Sequence, residues 1–181
     1  MASLVTLLVR RCLELGTALL QQQRSQEARF CFSKAFCLLP NDLAFRVALA
    51  NGLSHAGHTA VAIELFEEIV RDFPDAVAAR KRLAFLLLSS GKTQEALTCF
   101  EVLHEQQPDN QEISCTLGIL YYRQSRLEEA IECLKHVVQQ NRRHVNALET
   151  LGAALHEKGE LQQAEECFQV ILQITPHRIS T

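Results

Sequence analysis

The sequence predicts an all-α fold, a row of helical hairpins on a 34-residue period, and four columns of residues carry that prediction. The four prolines, Pro40, Pro74, Pro108 and Pro176, share one register with gaps of 34, 34 and 68 residues, and Arg142 stands at the skipped position. An alanine recurs at Ala28, Ala62, Ala96, Ala130 and Ala164, each followed four residues later by a bulky side chain: Phe32, Phe66, Phe100, Leu134 or Phe168. A leucine next to a small residue recurs as Leu15-Gly16, Leu49-Ala50, Leu83-Ala84, Leu117-Gly118 and Leu151-Gly152. Self-similarity at a fixed period of this length marks a repeat array.

Taken in order, the elements follow from the spacing. The opening run is apolar, but Arg10 and Arg11 follow it instead of preceding it, and it is only about six residues long. That is neither the layout of a signal peptide nor the length of a membrane span, so the segment reads as the start of the first helix. In each repeat the first helix is amphipathic. Leu117, Gly118 and Tyr121, for instance, share one face, as do Ala130, Leu134 and Val137 on the second helix. A short break separates the two, Arg123 to Arg126 in the fourth repeat, with Gly57, Gly91 and Gly159 at the corresponding breaks. The small columns let two antiparallel helices approach closely, and the bulky column fills the gap toward the neighbouring repeat. Proline ends the second helix, because it cannot continue the hydrogen-bond ladder. The last helix spans roughly Leu161 to Ile174.

The combined Leu-Gly…Tyr…Ala…Phe…Pro pattern resembles the tetratricopeptide repeat. It covers Val9 to Arg178 as five units, 9–42, 43–76, 77–110, 111–144 and 145–178, so residues 1–181 read as a single domain. The resemblance implies a right-handed superhelical solenoid of five helix-turn-helix units, whose first helices line a concave face. The sequence departs from the family where a Trp is usual, with Cys12, Arg46, Arg80, Ser114 and Leu148 there. The usual Tyr is kept only at Tyr121, with Leu19, Leu53, Leu87 and Leu155 in its other places. The RNA-reading pentatricopeptide class, with its 35-residue period, fits less well.

Composition narrows the function classes. Among 181 residues, 48% are hydrophobic and 22% charged, and a net charge of −3 gives no bulk pull toward nucleic acid or anionic membrane. The compact basic stretch Arg80-Lys81-Arg82 points in different directions on a helix and makes no phosphate-tracking stripe. Seven cysteines, an odd number in a chain able to form its own core, argue against a disulfide framework and for a reducing, cytoplasmic location. Cys31, Cys99, Cys133 and Cys167 are spread one to a repeat, as small hydrophobes and not metal ligands. The histidines form no cluster: His156-Glu157 lacks the second His of a zinc-protease helix. With no phosphate loop and no nucleophile elbow, the expectation is a protein without catalytic residues, metal or cofactor.

Binding is therefore the expected role, in the concave groove that the resemblance implies. Its candidate residues are Leu13, Leu20, Val47, Asn51, Lys81, Phe85, Leu88, Cys115, Ile119 and Tyr122, joined by Thr17, Ser54, Glu149, Ala153 and His156. Some family members clamp the acidic carboxyl terminus of heat-shock chaperones. Whichever of the first three repeats is aligned to that clamp, one of its five positions matches here, so the clamp is missing. The row Phe85, Leu88, Ile119 and Tyr122 suits an amphipathic helix or apolar peptide. The leading expectation is a non-catalytic scaffold or adaptor. The alternatives are a chaperone-like holder of hydrophobic segments and the substrate-recruiting region of a larger enzyme. Nucleic acid and membrane insertion are not expected. Phe168, Val170, Ile171 and Ile174 lie on the last helix, with Thr181 only five residues past Pro176. That leaves an apolar face for self-association through this helix, unless the natural protein continues.

Overall fold

The computed structural model describes residues 4–39 and 41–174, and Pro40 and Pro176, expected to end helices, lie outside them. Ten α-helices follow one another among the described residues: α1 (Leu4–Gln21), α2 (Ser25–Leu38), α3 (Leu43–His55), α4 (Thr59–Asp72), α5 (Val77–Ser89), α6 (Thr93–Gln106), α7 (Gln111–Arg123), α8 (Leu127–Gln140), α9 (Val145–Lys158) and α10 (Leu161–Ile174). The chain divides into two compact units, Met1–Lys92 and Thr93–Thr181, with the boundary in the turn of the third repeat. None of the described helices is long and apolar enough to cross a membrane.

The turn inside every hairpin is one motif repeated five times. Gln23, Gly57, Gly91, Ser125 and Gly159 all have positive φ, and they stand 34 residues apart. The amide after each donates back to the carbonyl of Leu19, Leu53, Leu87, Tyr121 or Leu155, while its own amide donates to the residue after that carbonyl. This is the Schellman closure, which satisfies carbonyls that a helix end leaves open. Only glycine takes that backbone without steric cost, so Gln23 and Ser125 sit there under strain.

Between repeats, the chain makes a second recurring turn. The amides of Asp42, Ala76, Asn110 and His144 donate to the carbonyls of Leu39, Phe73, Gln107 and Asn141. Pro74 and Pro108 occupy the second position of their turns, where the fixed φ of proline is pre-set for the bend. Asp42 Oδ1, Asn110 Oδ1 and His144 Nδ1 then cap α3, α7 and α9 by accepting from the amides of Phe45, Ile113 and Ala147 at 2.8, 3.3 and 3.2 Å.

Packing explains the columns. Ala28, Ala62, Ala96, Ala130 and Ala164 are all buried, as are Phe32, Phe66, Phe100 and Leu134. A Cβ added at Gly118 would come within 2.6 Å of Leu134 Cγ, and one at Gly152 within 2.8 Å of the Phe168 ring, so the missing side chain is what admits the neighbour. The column where a Trp is usual is filled in a different way in each repeat. In the N-terminal unit the buried Arg46 lays its guanidinium 4.7 Å from the Phe36 ring centre and 5.3 Å from that of Phe73, and pairs with Asp72 at 2.5 Å. A planar cation stacked between rings replaces the flat indole. Arg80 donates to the Pro74 carbonyl at 2.7 Å, and Ser114 in the C-terminal unit donates to the Pro108 carbonyl at 3.2 Å.

Candidate functional site

In the N-terminal unit, the first helices α1 and α3 flank a hollow of about 370 Å³, with Leu20 and Gln21 on one wall and Leu49, Gly52 and Leu53 on the other. Gly52 opens onto free space, since a Cβ there would meet nothing within 4 Å. Beside this apolar floor lies a polar edge. Arg82 of α5 donates from Nε to Asn51 Oδ1 at 3.0 Å and contacts His55 Nε2 at 3.4 Å. Leu13, Val47, Lys81, Phe85 and Leu88 are half-buried on the same three helices.

In the C-terminal unit, Ile119 and Tyr122 of α7 are half-buried and pack against the core that α8, α9 and α10 build. The Tyr122 hydroxyl donates to a Glu157 carboxylate oxygen at 2.5 Å, and that bond holds its pKa above the ordinary phenol value. Two of the sequence-selected groove residues are placed deeper than the helical face implied: Leu20 and Cys115 keep only 6% of their surface each. For Cys115 the reason is the neighbouring first helix α9, whose residues share its core cluster. Cys115 belongs to the core cluster, and burial raises its thiol pKa.

The opposite side of the C-terminal unit holds a site that the sequence reading did not single out. A hollow of about 610 Å³ is bounded by His104, Pro108, Leu117, Tyr121, Cys133 and His136. On its floor, the Tyr121 hydroxyl donates to Glu101 at 3.0 Å, Arg126 reaches the same oxygen at 3.3 Å, and the Arg126 guanidinium lies 4.2 Å from the Tyr121 ring centre. Desolvation first, then the bond to Glu101, pushes the phenol up to about 12. Ser114 hydrogen-bonds both His104 and the Pro108 carbonyl at the wall. The sequence signal was available: a small polar residue in the Trp column removes bulk from this place. Burial pushes the Cys133 thiol up to about 11, so it is protonated and poorly nucleophilic at neutral pH.

Residues 53–117 match a family model described as tetratricopeptide repeat, and residues 89–171 match one described as anaphase-promoting complex, cyclosome, subunit 3. The chain is a tetratricopeptide-repeat protein. Among solved structures, this repeat protein is similar to MamA of strain AMB-1, at 17% identity and a TM-score of 0.73 over 93% of this chain and 92% of that one. It is also similar to MamA from Desulfovibrio magneticus RS-1, at 19% identity and 0.67 over 96% and 98%. A third is YrrB, titled a TPR protein with an unusual peptide-binding site, at 17% identity and 0.70 over 99% and 96%. At such identities the likeness establishes an all-α repeat fold. No curated protein matches the sequence.

Proposed function

We propose that the repeat protein is a non-catalytic interaction scaffold that takes a peptide or short amphipathic helix on the face of its first helices. The observation that carries this reading is the hollow between α1 and α3, with its leucine floor, the bare Gly52 and the Asn51–Arg82–His55 edge. Apolar clefts with a few convergent polar groups are the usual form of a binding site. Two likenesses support it: a subunit model from a multi-protein complex, and a repeat protein whose title names a peptide-binding site. Half-buried Phe85 and Leu88 of α5 are further contact residues in this proposal.

The test uses peptides selected on the full chain from a random library. Gly52→Leu places a side chain in the hollow from a position where a Cβ meets nothing within 4 Å, and leucine favours helix over glycine. Selected peptides should lose at least about tenfold in affinity, close to 1.4 kcal/mol, for that variant. Phe85→Ala should cost more than about 1 kcal/mol. Peptides that bind Gly52→Leu as tightly as the wild type, with helicity intact, remove this surface from the proposal.

A further inference from the structure

Where repeat four meets repeat five, the facing columns are apolar. Ile131 and Leu134 of α8 share a core cluster with Ala147, Leu148 and Leu151 of α9. In register with Ile131, Ile63 and Leu97 are also buried, and in register with Ala147, so are Ala79 and Ile113; at the first junction the same columns hold half-buried Arg29, paired with Glu64 and Glu68 of α4, and half-buried Phe45. At the two outermost described helices the columns carry charges that no second repeat covers. Arg11 stands on α1 where Ala147 stands on α9, and Glu165 stands on α10 where Ile131 stands on α8. Both charges are exposed.

Each charge is set in an uncovered apolar face. Beside Arg11, Leu15 is 55% exposed, whereas its counterpart Leu151 is 3% exposed, and Leu4, Leu7 and Leu8 extend the same open side of the helix. Beside Glu165, Phe168 is 40% exposed where its counterpart Leu134 is fully buried, and Leu161 and Leu172 are open as well. The first face thus matches the side of a first helix that meets a second helix at the internal junction, and the second face is its counterpart.

We propose that copies of this chain join head to tail, with α1 of one copy seated on the α9–α10 hairpin of the next and Arg11 facing Glu165 across the junction. The apolar pair of the internal junction is replaced there by a pair of opposite charges, which fixes orientation. A symmetric contact through either face alone would bury Arg11, or Glu165, without the opposite charge that the other face supplies. The present partner of Arg11 is Glu14 on its own helix at 3.4 Å, a long and solvated pair that gives way readily. A contact between two different faces leaves each copy with one further face to fill, so it builds rings or open chains and assembly should proceed with concentration past the dimer. This surface is separate from the peptide-binding face, and its partner is the chain itself.

Sedimentation velocity on the full chain, over a wide concentration range, provides the test. Arg11→Glu and Glu165→Arg each place like charges at the junction and should weaken association roughly tenfold. The double variant, with the charges exchanged, should recover it, and so should an equimolar mixture of the two single variants. Both positions are solvent-exposed, and circular dichroism should show unchanged helicity in every variant. A wild type that stays monomeric at high micromolar concentration overturns the proposal. So does association that neither reversal weakens, or a loss that charge exchange does not repair.

Discussion

Repeats four and five depart from the common pattern at opposite ends of their hairpins. Repeat four is entered through a turn carrying Pro108, and its own left-handed position is Ser125 in place of glycine. Repeat five keeps Gly159 at that position, but its entry turn has Arg142 in place of proline. The second departure is compensated locally. Asn141 Oδ1 accepts from the Arg143 amide at 3.1 Å, an Asx turn that bends the chain where the other entries rely on a fixed φ. The first departure has no such substitute, because a side chain cannot remove the clash that its own Cβ creates. The column behind the entry turn changes too: Ser114 is held by a hydrogen bond to Pro108, whereas Leu148 joins the apolar core. One backbone shape is therefore reached by two kinds of force.

The comparison breaks most visibly at Leu148. Leu148→Ser removes a core side chain and should cost about 2–5 kcal/mol in chemical denaturation, whereas Ser114→Ala should cost about 0.5–1.5 kcal/mol. Equal losses at the two sites would mean that the column is held in the same way in both repeats. A smaller effect of opposite sign is expected at the hairpin turn. Ser125→Gly relieves the left-handed strain and should stabilise by about 1 kcal/mol, less than the strain itself because glycine is more flexible when unfolded. A lower melting temperature for that variant would show that Ser125 contributes something besides strain. The smallest effect belongs to the Asx turn. Asn141→Ala should destabilise by about 0.5–1 kcal/mol, and adding Arg142→Pro should recover about as much. Failure of proline to compensate would mean that the two turns are not interchangeable.

Much of this was legible in the sequence, because a repeat shows the same physical demand five times. The buried alanines, the glycine positions and the bulky column appear as periodic residues before any coordinates are known. Depth of burial was less accessible. Leu20 and Cys115 lie on the faces that helical spacing assigned but are buried, and spacing along one helix does not record what leans on it. Column membership misleads at Leu15, which shares a register with buried Leu83, Leu117 and Leu151 yet stays open. Arg46 reads as the loss of an aromatic residue. Its guanidinium in fact stacks on two rings contributed by α2 and the residue after α4, a juxtaposition visible only in three dimensions. The Tyr121–Glu101–Arg126 trio escaped for the same reason, since its members come from three different helices or their ends.

The placement of the thiols has a practical consequence. Cys31, Cys115, Cys133 and Cys167 are buried, with pKa values raised chiefly by desolvation, and Cys12 and Cys99 are half-covered. Cys37, on α2, is exposed. Thiol-directed reagents act through the thiolate and need access, so a maleimide dye should attach first at Cys37. The native sequence thus offers a ready position for a fluorescent reporter, on a second helix and away from the hollow between α1 and α3.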